Sequence, residues 1–68
     1  MQIGTILHID SRGIVDVQLA NRIVHAQILS GGGQAGDQVE GYMTPGVYSW
    51  INTPHRRMVV EVLGQPRP

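Results

Sequence analysis

The sequence predicts a small all-β barrel of Greek-key type. Three observations carry this reading. Apolar residues recur with a period of two through most of the chain, and turn-forming residues interrupt them about every eight to twelve positions. No stretch has the spacing of an amphipathic helix of useful length. A sheet of such short strands gains most by closing on itself, because closure removes the unpaired edges that template aggregation.

The elements follow in order. From Gln2 to Ile9, Ile3, Thr5, Leu7 and Ile9 alternate with Gly4, Ile6 and His8, as in a strand. Asp10-Ser11-Arg12-Gly13 is turn chemistry, since Asp and Ser bond their own backbone and Gly accepts a positive φ. A second strand runs over Ile14–Leu19, with Val15, Val17 and Leu19 on one face. Ala20-Asn21 suits a two-residue hairpin loop, Asn tolerating the left-handed conformation. The chain returns over Arg22–Leu29, with Val24, Ala26 and Ile28 opposite Ile23, His25, Gln27 and Leu29. Ser30–Asp37 has four Gly and no period, so it is a flexible loop.

Gln38–Met43 alternates again and forms a fourth strand, which Thr44-Pro45-Gly46 interrupts as a turn or bulge. Alternation resumes over Val47–Asn52, where Tyr48 and Trp50 oppose Val47, Ser49 and Ile51. Thr53–Arg56 reads as a second hairpin turn, leading into Arg57–Leu63, where Met58, Val60 and Val62 share a face. The expected architecture is one domain over residues 1–64, with five strands and an extended hairpin between the fourth and fifth. Residues 65–68, with two Pro, form a frayed tail. The expected core comprises Ile3, Leu7, Val15, Val17, Val24, Ala26, Ile28, Val39, Met43, Val60 and Val62.

Composition bounds the function. A chain of 68 residues builds one thin core, and without Cys it has neither disulfides nor a thiolate zinc site. Net charge is zero, which removes the strong positive field of a general nucleic-acid binder. No apolar run is long enough to span a membrane, and no basic start precedes an apolar stretch, so the expected location is cytoplasmic with no membrane partner.

Catalytic and cofactor signals are weak. Gly31-x-Gly33-x-x-Gly36 matches a dinucleotide fingerprint in spacing, but a strand follows where a helix N-terminus would have to hold pyrophosphate. His8, His25 and His55 sit on separate segments without the short spacings of a metal site. No nucleophile elbow or carboxylate pair is present, and so small a barrel has little room for a water-excluding pocket. The expectation is a non-enzymatic chain with no cofactor and no metal.

Gly4-Thr5-Ile6-Leu7, Val17-Gln18-Leu19, Arg22-Ile23-Val24-His25-Ala26-Gln27-Ile28-Leu29-Ser30-Gly31 and Gly36-Asp37-Gln38-Val39 stand in a familiar order. This resembles bacterial translation initiation factor one and the RNA-binding domain repeated in the first protein of the small ribosomal subunit. It is also similar to the small OB domains attached to transporter ATPases and molybdate-binding proteins. The resemblance covers residues 3 to 43 and implies an OB-like Greek-key barrel; an SH3-like barrel has the same strand count in a different order. Gly31–Ala35 stands where the initiation factor has a short helix, and Lys and Phe are absent.

Five Arg without Lys, beside aromatics, carry the remaining signal. Tyr42, Tyr48 and Trp50 share the parity expected to face outward. Single-stranded nucleic-acid binders combine such stacking platforms with a cationic groove. On this reading Arg12, Arg22, Arg56 and Arg57 meet phosphates, Tyr48 and Trp50 stack on bases, and His25 and Gln27 touch base edges or sugar of RNA or DNA. The rival reading is a protein-interaction or homo-oligomerisation module, in which exposed Tyr48 and Trp50 on a near-neutral surface meet a protein partner or a second copy.

Overall fold

The computed structural model describes residues 1–52 and 56–64. Six strands form: β1 (Gln2–Ile9), β2 (Ile14–Gln18), β3 (Ile23–Ser30), β4 (Gln38–Gly41), β5 (Gly46–Asn52) and β6 (Arg56–Val62). They close in the order β1-β2-β3-β6-β5-β4, with β4 returning to β1 and every pairing antiparallel. Thr53, Pro54 and His55 of the expected second turn, and the expected tail 65–68, lie outside the described residues.

The expected all-β barrel forms, with six strands instead of five. Pro45 cannot donate to a ladder and Gly46 takes a φ of 148°, so the break after Gly41 ends one strand and starts another. β4 and β5 then pair with each other, Val39 opposite Asn52 and Glu40 opposite Ile51. The β5–β6 hairpin is accordingly a wall of the barrel and not an extended arm.

The six strands are two three-stranded meanders, β1–β3 and β4–β6, joined through β1 with β4 and β3 with β6. Their interiors correspond. Val15 faces Ala26 and Val17 faces Val24 in the first meander, as Tyr48 faces Val60 and Trp50 faces Met58 in the second. The hairpin Leu19–Arg22 closes as expected, Leu19 N donating to Arg22 O at 2.8 Å across Ala20-Asn21.

β1 corrects the expected core. Its register slips between Ile6 and His8, leaving Leu7 as the extra residue of a bulge. Gly4 and Ile6 therefore face inward before the bulge, and Ile9 packs against the core after it. Ile3 is 61% exposed and Leu7 45%, whereas Ile6 is 1% exposed. A second bulge on β3 falls between Ile28 and Ser30.

Trp50 fills the interior. It is fully buried among Met58, Val60, Val39 and Met43, and its Nε1 donates to Tyr42 O at 2.9 Å. The indole lies against Gly41, where an added Cβ would collide with Trp50 Cδ1. Gly41→Ala is expected to lower stability by about 1–3 kcal/mol through overpacking and to shift Trp50 emission to the red, read by urea unfolding. Gly32, with nothing near its missing Cβ, is the control.

The β1–β2 turn is organised by one carboxylate. Asp10 Oδ1 accepts Ile14 N at 3.0 Å and Arg12 N at 2.8 Å. Chiefly the bond from Ile14, aided by Arg12, holds the Asp10 carboxyl below its ordinary 3.8 despite desolvation. The folded state therefore prefers the ionised form. The stability this adds is present above the unfolded pKa and is lost as pH falls through the folded one. A carboxyl-carbon NMR titration should place the Asp10 midpoint below that of a free Asp, and Asp10→Ala should lessen the loss of stability in acid.

Candidate interaction surfaces

Strand directions sort the loops to two ends. The Asp10–Gly13 turn, the Gly31–Asp37 loop and the start of β6 lie at one end; Ala20-Asn21 and residues 42–45 lie at the other. Arg12 is at the first end, its guanidinium 3.7 Å from Asp10 Oδ2. Arg56 and Arg57 flank an open cleft there with Gly31, Gly32, Gly33, Gln34 and Asp37. Arg22 sits at the opposite end, beside His25, Met43, Pro45 and Leu63 around a cavity of about 30 Å³. The four arginines therefore do not form one phosphate track.

The outer face of β2 and β3 is occupied by its own contacts. His8 pairs in register with Asp16, and Asp16 with His25, a row across three strands. His25 Nδ1 lies 2.6 Å from Asp16 Oδ1. Gln27 Nε2 donates to Arg12 O at 2.9 Å, and Gln18 Nε2 to Leu19 O at 2.7 Å. Among the described residues no group of three or more His, Cys, Asp or Glu could hold a metal ion, and no helix is long and apolar enough to cross a membrane.

The aromatic parity is the reverse of the expected one. Tyr48, Trp50 and Asn52 face inward on β5, and Val47, Ser49 and Ile51 face outward. Trp50, at 0% exposure, offers no face to a base. Tyr48 is half-buried, with its hydroxyl 2.9 Å from Thr44 Oγ1 and its ring 5.7 Å from that of Tyr42. Tyr42 alone of the three is exposed.

Two features escaped the sequence reading. The first is the outer wall of β1, β4 and β5, where Ile3 is 61% exposed, Val47 60% and Ile51 39%, with Met1 and Tyr42 exposed at its margin. Trp50 stands across from Met58, an inward residue, and this register turns Ile51 out. The second is Asn52, 1% exposed beneath the Gly-rich loop. Its Nδ2 donates to Gly32 O at 3.1 Å and lies 3.4 Å from Asp37 Oδ2. Its Oδ1 has no partner among the described residues.

Comparison of the chain with family models, with curated proteins and with solved structures finds no match in any of the three.

Asn52 tests what holds the Gly-rich loop. Asn52→Asp buries a carboxylate facing the Gly32 carbonyl and the Asp37 carboxylate, at a cost of about 3 kcal/mol for an uncompensated charge. Its folded pKa is then raised, so the lost stability returns as pH falls through that value. Urea midpoints for Asn52→Asp should recover toward wild type on acidification, more than those of Asn52→Ala.

Proposed function

We propose that this chain is a non-enzymatic protein-interaction module that docks a protein surface on the outer wall of β1, β4 and β5. The observation that carries this reading is the inversion on β5. The one Trp is spent inside, while Val47 and Ile51 are left in water. A single exposed aliphatic residue is ordinary, but Ile3 on β1 and Val47 and Ile51 on β5 flank β4, with Glu40 between Ile3 and Ile51 and with Met1 and Tyr42 at the margin. A net charge of zero suits a protein contact of this kind.

Nucleic-acid binding is the competing outcome. It needs stacking faces beside a continuous cationic groove. Here Trp50 is inside, Tyr48 is half-buried, Arg12 lies beside Asp10, and Arg22 is at the far end from Arg56 and Arg57.

Amide spectra of the labelled chain decide between the two. In concentrated cell extract freed of nucleic acid, resonances of Ile3, Glu40, Val47 and Ile51 should broaden before those of Gln18 and Ile23 on β2 and β3. Short RNA and DNA oligomers at low salt should leave the spectrum unchanged. Shifts at Arg12, Arg56 and Arg57 on adding oligomer, reversed by salt, would overturn the proposal in favour of nucleic-acid binding.

A further inference from the structure

We propose that the outer wall of β4, β5 and β6 is a two-fold contact between two copies of this chain, with Ile51 on the axis. This rests on the interaction-module reading above, shares its β4–β5 surface, extends it to β6 in place of β1, and names the partner. Register carries the argument. Ile3 on β1 pairs with Glu40 on β4, Glu40 with Ile51 on β5, and Ile51 with Arg57 on β6. One transverse row thus reads apolar, acid, apolar, base. Neighbouring strands stand about 4.8 Å apart, so the acid and the base flank Ile51 symmetrically, one strand to each side. Glu40 and Arg57 are exposed. The ion pairs among the described residues are Arg12 with Asp10 and His25 with Asp16, so neither flanking charge is paired there.

A row of this kind is complementary to itself. Rotation by half a turn about an axis in the contact plane, parallel to β5, sets Glu40 of each copy opposite Arg57 of the other. Along the axis the outward column of β5, Val47, Ser49 and Ile51, meets its own image. It holds no charge, so no like charges meet on the axis. An axis laid along the row would set Glu40 against Glu40 and is unfavourable. An isologous contact requires such self-complementarity, and the β2–β3 face lacks it because Asp16, His25, Gln18 and Gln27 already bond within the barrel.

The shape agrees. A barrel wall is convex, so positions on the strands to either side of the axis recede from it. Glu and Arg are long enough to bridge a gap that widens away from the axis. A standard interface takes about 800 Å² per partner. That is close to a fifth of this chain's 4442 Å². A contact between two convex walls falls at the low end of that class, which implies an association that depends on concentration.

Sedimentation equilibrium over a wide concentration range tests this, on the wild type, Ile51→Asp, Glu40→Arg, Arg57→Glu and the double charge exchange. The wild type should dimerise and Ile51→Asp should stay monomeric with a native amide spectrum. Each single reversal should weaken the dimer about tenfold or more, and the double exchange should restore most of it. A dimer indifferent to Ile51→Asp, or a double exchange no better than the single reversals, overturns the proposed contact. A wild type monomeric at every concentration overturns it too. If the wall still broadens in extract, the broader interaction reading stands with a different protein as partner; if it does not, both fail.

Discussion

The barrel interior is governed by one close approach. Trp50 is the largest side chain of the core, and it fits because Gly41, on the neighbouring strand, has none. The equivalent place in the first meander is filled differently: Ile6 stands across from Val17. The two arrangements occupy similar volume, one as two medium side chains and the other as a large one beside an empty position. Close packing leaves little tolerance for changing one member of either pair alone. The indole also needs a partner for its N–H, and Tyr42 O supplies it where β4 has just ended. Thus the short β4, the break at Pro45-Gly46 and the inward turn of β5 belong to one constraint.

That constraint reaches the surface. Alternation in a strand is strict, so placing Tyr48, Trp50 and Asn52 inside places Val47, Ser49 and Ile51 outside. The hydrophobic outer wall is thus coupled to the aromatic core. Hydrophobic exposure on β1 has a similar origin, since the inward positions at Gly4 and Ile6 leave Ile3 outside and the bulge leaves Leu7 outside. At the loop end, Gly36 N and Asp37 O bond Ile6 O and N at 2.8 Å, so the Gly-rich loop extends the seam between β1 and β4 just below the bulge.

Much of this was legible in the residues. The β2–β3 hairpin followed from two clean alternations and a loop of the right length, and its register agrees residue by residue. Val15, Val17, Val24, Ala26, Val39, Met43, Val60 and Val62 were placed inside and are buried there. Ile3 and Leu7 were expected inside, on the face that carries Ile9, but the bulge between Ile6 and His8 shifts parity, so Ile9 packs inward while Ile3 and Leu7 face out. Ile6 and Leu7 are equally apolar, so alternation alone does not choose between them. β5 failed for a related reason. Both of its faces are apolar, one aromatic and one aliphatic, and only the position of β6 across from it decides which goes in. On the surface Tyr48 and Trp50 carry that error, whereas Tyr42 is exposed as expected. Separation in sequence also does not reveal that Arg22 and Arg57 lie at opposite ends of the barrel.

The division into two meanders carries a kinetic consequence. The β2–β3 and β5–β6 hairpins pair residues close in the chain, and such pieces form within microseconds. The seams between β1 and β4 and between β3 and β6 join residues 29 to 39 positions apart, such as Ser30 with Val59 and Gln2 with Gly41. Both seams carry the loop-closure entropy of a long chain segment. This topology predicts that docking of the two meanders is slower than formation of either hairpin. Trp50, fully buried in the closed barrel, is the natural optical reporter of that step.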